Sequence, residues 1–211
     1  MSEPKATADH IDHLLPDVLH WTISDERIGH HASEAYAIRT TEGVVCIDPV
    51  TVREDLWPEL DPVTAVLLTH GHHQRSAWRF RYRFHCPVYV PFGAGKLDEA
   101  PDFFYASDSA LPLPITAVPA RGFSHSMYLV YHSRDNQTVV FVSDLIFDDP
   151  TTGYRFPVQP GYFDPEGGVA DAEALLTFQP DVLLPGHGKP VFESADRVLQ
   201  NAIQRVQQPG A

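Results

Sequence analysis

The chain has 211 residues, 43% of them hydrophobic, enough to bury a full core in one large domain or two small ones. Its formal charge of −13 repels polyanions and argues against nucleic-acid or anionic-membrane binding. It contains no run of about eighteen apolar residues, the length needed to span a bilayer. The opening "MSEPKATADHIDHLLPDV" has no basic stretch followed by an apolar one, so no secretory signal is visible and a cytoplasmic protein is expected. In that setting Cys46 and Cys86, both in or beside apolar runs, read as buried thiols rather than a disulfide.

In chain order, residues 1–15 read as a polar, loosely held leader, and residues 16–211 as one domain. "EAYAIRT" and "GVVCIDP" are strand-like runs around "TEG", which predicts a hairpin. "VTAVLLT" is a continuous apolar strand buried on both faces. "SAWRFRYRF" predicts a helix leading into the strand "PVYVP". Residues 101–119 read as Pro-rich loops around the short strand "ITAV", followed by "MYLVYH" and "TVVFVSD", joined by the turn "SRDNQ". "GVADAEALLTF" has helical spacing and precedes the strand "DVLLP". Val198, Leu199, Ala202, Ile203 and Val206 recur at helical spacing and predict an amphipathic closing helix. Strands and helices mixed in this order indicate an α/β sandwich.

The chain has 12 histidines, several of them, such as His10, His13 and His20, in the polar start, where a solvated surface is expected. Others follow strong strands. "VTAVLL" runs into Thr69-His70-Gly71-His72, "VVFV" into Ser143-Asp144, and "DVLLP" into Gly186-His187-Gly188, while His125 precedes "MYLVY". Ligand-type residues at strand ends can converge on one edge of a sheet, where open α/β proteins place their sites. Gly71 lets the backbone turn so that His70 and His72 can face one metal. In "RSAWRFRYRF", Arg75, Arg79 and Arg83 share a helix face; with so acidic a chain they are expected to meet acidic residues of the same protein or of a partner subunit, with Trp78 and Tyr82 packed inward. His30 and His31 in "IGHHAS" read either as an exposed pair or as an overhang above the site.

These residues resemble the metallo-β-lactamase superfamily, from "EAYAIRTTEGVVCIDP" through "TAVLLTHGHH", "FSHS" and "VVFVSDL" to "VLLPGHG". The signature there is His-x-His-x-Asp-His, followed by a later His, an Asp and a final His. The resemblance implies a four-layer αβ/βα sandwich. It makes His70, His72 and His125 the imidazoles of a first metal position, Asp144 a bridging carboxylate and His187 the last ligand of a second position. Asp48 resembles the Asp of the superfamily's Ile-Asp-Pro and is expected to orient a ligand.

One departure is central. Where the signature has Asp-His, this chain has Gln74-Arg75, a neutral amide and a cation that cannot deprotonate. A two-metal centre is therefore not expected; one divalent ion is, zinc first and iron as the alternative. Three imidazoles and an open position are the arrangement in which zinc lowers the pKa of bound water to about 7. In that reading Asp144 is the catalytic carboxylate that holds the water. Arg75 pairs with Asp144 or clamps a substrate oxygen, and His73 touches substrate or replaces a lost ligand. The expected activity is hydrolysis of an ester, thioester, lactone or amide. The alternatives are a mononuclear iron oxygenase-like enzyme and a non-catalytic binding protein on the same fold. The expected partner is a small-molecule substrate, with neither nucleic acid nor membrane. The Tyr- and Phe-rich segment 149–168 reads as an aromatic lid or the surface of a homo-oligomer.

Overall fold

A computed structural model describes residues 3–149, 151–158 and 161–207. The first sheet has seven strands in sequential order: β1 (Asp12–Leu15), β2 (Val18–Asp25), β3 (His31–Arg39), β4 (Val44–Ile47), β5 (Val63–Leu67), β6 (Val88–Pro91) and β7 (Phe103–Tyr105). The first four form an antiparallel meander, and β4 to β7 run parallel. The second sheet contains β8 (Thr116–Pro119), β9 (Met127–His132), β10 (Thr138–Asp149) and β11 (Gly153–Arg155), with β12 (Val182–His187) parallel to β10. Among the described residues there are four α-helices: α1 (Trp57–Leu60), α2 (Ala77–Phe84), α3 (Pro165–Leu176) and α4 (Ala195–Gln207).

Alternation along each strand builds four layers. On β3 and β4, Tyr36, Ile38, Val45 and Ile47 point into a core between the sheets, where they meet Leu129, Tyr131, Val139 and Phe141. Their neighbours Ala35, Ala37, Val44 and Cys46 point the other way, onto Trp57 of α1 and Ala77, Trp78 and Phe80 of α2. Likewise Tyr128, Val130, Val140 and Val142 turn outward onto Ala172 and Leu175 of α3 and Leu199, Ala202 and Ile203 of α4. A period of two puts alternate residues on opposite faces, so a strand apolar throughout needs cover on both. Each fully buried aliphatic or aromatic side chain stabilises the fold by about 1.5–3 kcal/mol.

The start of the chain departs from the loose leader expected. Ala8 is buried and bridges Val52, with Ala8 N donating to Thr51 O and Arg53 N to Ala8 O, and β1 adds an edge strand to β2. His20 is a buried member of β2, not a solvated residue. Tyr82 also differs from expectation: it is 63% exposed, while Trp78 is buried. The arginines of α2 meet acidic partners, Arg79 to Glu3 at 2.7 Å and Arg83 to Glu54 at 3.5 Å. Both cysteines are buried and free. No helix among the described residues is long and apolar enough to cross a membrane.

Candidate metal centre

The edge where β4, β5 and β12 end gathers the polar residues. Asp48 follows β4 in a left-handed conformation (φ 48°) that Asp tolerates better than most residues. Beyond β5, Thr69 and His70 lead into a short 3-10 helix, Gly71–Gln74, which turns His73 inward. Asp144 lies within β10, not at its end: the pairing with β12 shifts register on both sides of Ser143, whose φ is 48°. Such an irregularity re-aims a side chain without ending the strand. Gly186 makes room, since a Cβ there would lie 2.8 Å from the His73 ring and 3.0 Å from Asp144 Oδ1. The sheets are joined here by Met127 N donating to Thr69 O at 2.9 Å and Tyr36 Oη to Pro185 O at 2.8 Å.

His73, Asp144 and His187 converge. Among the described residues they form the group of three whose ligand-type atoms all lie within 4.8 Å of one another. His73 Nε2 is 3.1 Å and His187 Nε2 3.5 Å from Asp144 Oδ1. Each ring is anchored by its other nitrogen: His73 Nδ1 to Asp48 Oδ2 at 2.8 Å, and His187 Nδ1 to Ala32 O at 2.6 Å. Asp48 is held in turn by Thr69 N at 2.8 Å and Thr69 Oγ1 at 2.5 Å. Fixing Nδ1–H leaves Nε2 as the ligand atom, the arrangement that orients metal-binding histidines and raises their basicity.

The electrostatics favour a cation at this point. Burial opposes charge on Asp144, but His73, His187 and His70 outweigh it and hold its carboxyl far below the usual range. Burial likewise opposes charge on Asp48, and His73 and Arg75 overcome it, so its pKa is lowered. His73 moves up: burial and Arg75 push it down, yet the carboxylates of Asp144 and Asp48 prevail. Burial takes His187 down to about 4. Asp144 Oδ1 is buried without a well-formed hydrogen bond. Two imidazole lone pairs facing a carboxylate oxygen repel unless a proton or a metal ion sits among them. A nitrogen–oxygen–nitrogen donor set of this kind fits a zinc-type ion.

Gln74 and Arg75 take no part in that trio. Gln74 is buried facing away, its Oε1 accepting from Trp78 Nε1 at 3.1 Å and Asp98 N at 2.7 Å. Arg75 is 2% exposed and donates to the carbonyls of Glu34, Asp48 (3.0 Å) and Gly186 (3.1 Å). Its guanidinium ties the middle of β3, the turn after β4 and the end of β12 together; none of its hydrogen bonds goes to Asp144. With φ 34° it stands outside α2, so it does not share a face with Arg79 and Arg83.

The other sequence-predicted residues are more dispersed. His70 is buried, its Nδ1 has no hydrogen-bond partner, and burial lowers its pKa to about 4. Its ring is 4.6 Å from that of exposed His72 and 5.9 Å from His73. His125 is exposed, with φ 59°, and its ring lies where a side chain on Gly93 would sit. His70, His72 and His125 do not form a close group among the described residues. His31 is exposed and lines a cavity of about 360 Å³ that His187 also lines.

Sequence reading missed several neighbours. A cavity of about 60 Å³ beside the trio is also lined by Asp25, Arg27, Ser33 and Tyr162. Asp25 is fully buried, accepting from Arg27 and Ser33; burial opposes its charge, but the Arg27 hydrogen bonds bring its pKa down to about 2. Tyr162, in the aromatic segment noted above, stacks on His72 at 6.4 Å, and its hydroxyl donates to Asp144 Oδ2 at 3.4 Å. Residues 150, 159 and 160 of that segment lie outside the described residues. Asp171 of α3, accepting from Arg121 N, Gly122 N and Tyr128 Oη, steadies the loop carrying Phe123 and His125.

The order of strands and the place of this edge define a metallo-β-lactamase fold, and solved structures agree. The chain aligns with a metallo-beta-lactamase from Pontibacter korlensis at TM-score 0.71 and 16% identity, covering 94% of this chain and 99% of that one. FIM-1 from Pseudomonas aeruginosa, solved in a mono-zinc form, gives TM-score 0.73 at 14% identity over 97% of this chain and 98% of that one. An archaeal metallo-beta-lactamase superfamily protein from Sulfolobus tokodaii gives 0.65 at 15% identity over 83% and 80%. No family model matches the sequence, and no curated protein matches it. The chain therefore has the metallo-β-lactamase fold as its four-layer αβ/βα sandwich, at a sequence distance that leaves its chemistry to be argued from its own residues.

Proposed function

We propose that this chain is a metal-dependent hydrolase of small-molecule esters, thioesters, lactones or amides. It would use one zinc-type ion held by His73 Nε2, Asp144 and His187 Nε2. The observation that carries this reading is the convergence of three donors, His73 and Asp144 buried and His187 partly so, whose imidazoles are each anchored through Nδ1. The fold supports it, since the mono-zinc neighbour shows that this sandwich accommodates a single ion in another protein. When bound, such an ion supplies Lewis acidity, which polarises a carbonyl and acidifies water.

The remaining roles belong to the chain. Asp48 and the Ala32 carbonyl fix the two rings. Arg75 ties β3, the turn after β4 and β12 together and keeps positive charge near Asp48 and Asp144, where the signature would have put a second metal's ligands. Asp144 orients water by accepting a hydrogen bond through Oδ2; with its pKa held so low it is a weak proton acceptor. Burial and Asp144 raise the Tyr162 hydroxyl's pKa, so it stays protonated as a donor over the same oxygen.

A second reading puts the ion with His70, His72 and His125, as the resemblance implies. The bare, buried Nδ1 of His70 favours it. The two separate on variants. With zinc restored, hydrolysis of a panel of ester, thioester, lactone and amide substrates should be abolished by His187→Ala and His73→Ala and reduced at most modestly by His125→Ala. The reverse order, with His125 essential and His73 dispensable, supports the second reading. No metal uptake and no turnover by the unaltered chain would sink both.

A further inference from the structure

The start of the chain holds a group of histidines and carboxylates that the centre above does not use. Asp12 of β1 and His20 of β2 are directly opposed across the strand pair. His20 Nδ1 lies 3.6 Å from Asp12 Oδ2, and His10 Nε2 lies 3.3 Å from the same oxygen. Each imidazole has a carboxylate on its other nitrogen: Glu34 Oε2 at 2.7 Å from His20 Nε2, and Asp9 Oδ1 at 2.8 Å from His10 Nδ1. The His20 side chain is only 9% exposed, its ring lies against that of Tyr36 at 5.2 Å, and its Nδ1 has no hydrogen-bond partner. A buried, immobile imidazole thus aims a bare nitrogen at a carboxylate that a second imidazole already approaches.

We propose that His10 Nε2, Asp12 Oδ2 and His20 Nδ1 form a separate site for a divalent transition ion of the zinc type, with water completing the coordination. Zinc–nitrogen and zinc–oxygen bonds of about 2.0–2.2 Å in a tetrahedron separate neighbouring ligand atoms by about 3.3 Å, close to both distances on the shared oxygen; the two imidazole nitrogens stand farther apart than 4.8 Å, so the exposed His10 ring has to swing inward to complete the site. The carboxylates on the far nitrogens fix each tautomer and strengthen the ligands. His20 is the fixed point, while His10 and Asp12, with side chains 57% and 52% exposed, are free to close around an ion. Such an ion fastens the first residues to the edge of the seven-stranded sheet. This site does not depend on the hydrolase reading, because it shares no ligand with His73, Asp144 or His187.

The test is a zinc titration of the full chain, followed by histidine-ring nitrogen NMR. Saturable shifts are expected at His20 Nδ1, with Nε2–H retained against Glu34, and at His10 Nε2. His10→Ala, at an exposed position, should weaken zinc at this site at least tenfold and suppress the His20 response while leaving the other histidine signals as in the unaltered chain; Asp12→Asn should do the same. If His10 and His20 do not respond at saturating zinc, the group is an ion-pair chain and the proposal fails; it fails equally if His20 responds unchanged in His10→Ala, since zinc then binds without the three-ligand site. The spectra of the unaltered protein give the primary answer, so it does not rest on how well a variant folds.

Discussion

The two groups of histidines at the sheet edge are built differently. His73 and His187 are enclosed, each with Nδ1 bonded to a fixed acceptor and Nε2 turned toward Asp144. His72 and His125 are exposed, and nothing comparable holds His70, whose Nδ1 is bare. The inner group is preorganised by the strand ends and by Arg75 beneath them; the outer group depends on loops. A site built on rigid elements, with its ligands' second nitrogens already committed, holds geometry that loops do not. Gln74 and Arg75, where the signature that the sequence resembles has Asp-His, therefore serve the framework of the inner group. His73 turns inward on the 3-10 helix, and Arg75 becomes a structural cation.

The largest expected effect breaks the inner group's foundation. Arg75→Met removes a buried cation and leaves three carbonyls without their donor, so unfolding free energy should fall by about 3–5 kcal/mol in denaturant melts. Acid comes next and acts on both groups. In the metal-free chain His187 and His70 have folded pKa values of about 4, well under an unfolded value near 6.5. Between those values the unfolded chain binds more protons, so stability should drop as pH falls from 6.5 to 4, by at most about 3 kcal/mol for each group. His73, with its pKa raised, runs the opposite way: its contribution is complete below its unfolded pKa and is lost as pH rises through the folded one. Melting temperature against pH, compared with His187→Ala and His73→Ala, separates the two signs.

Metal affinity sharpens the same contrast. His73→Ala and His187→Ala should each cost more than roughly 100-fold in zinc affinity at this centre. Asp48→Asn, which alters only the ring's anchor, should cost roughly 10–100-fold. His72→Ala should be the mildest change, within about 0.5 kcal/mol in stability and nearly silent in zinc affinity at the inner group; calorimetry reads both.

Much of this was legible in the sequence. The β3–β4 hairpin, the buried β5, the β9–β10 hairpin, α3, β12 and α4 follow from periodicity and turn residues. Asp48, Asp144 and His187 stand out because each follows an apolar run. Other features were not legible, for physical reasons. β1 is short and polar, and it exists because β2 offers an edge. β2 is interrupted by His20, a polar residue whose burial depends on Glu34 and Tyr36, both distant in sequence. The position of His73 is fixed by the phase of a four-residue 3-10 helix, and one residue of slip would exchange it for a neighbour. Arg75's three acceptors are backbone carbonyls, which no side-chain motif announces.

In the proposed centre the ion sits among His73, Asp144 and His187. Crystals grown with zinc and measured at the zinc absorption edge test it most directly. An anomalous peak is expected at this sheet edge within bonding distance of His73 Nε2, Asp144 and His187 Nε2, with His73 Nδ1 still on Asp48. A peak ligated by His70, His72 and His125, with His73 bound only to carboxylates, would contradict it.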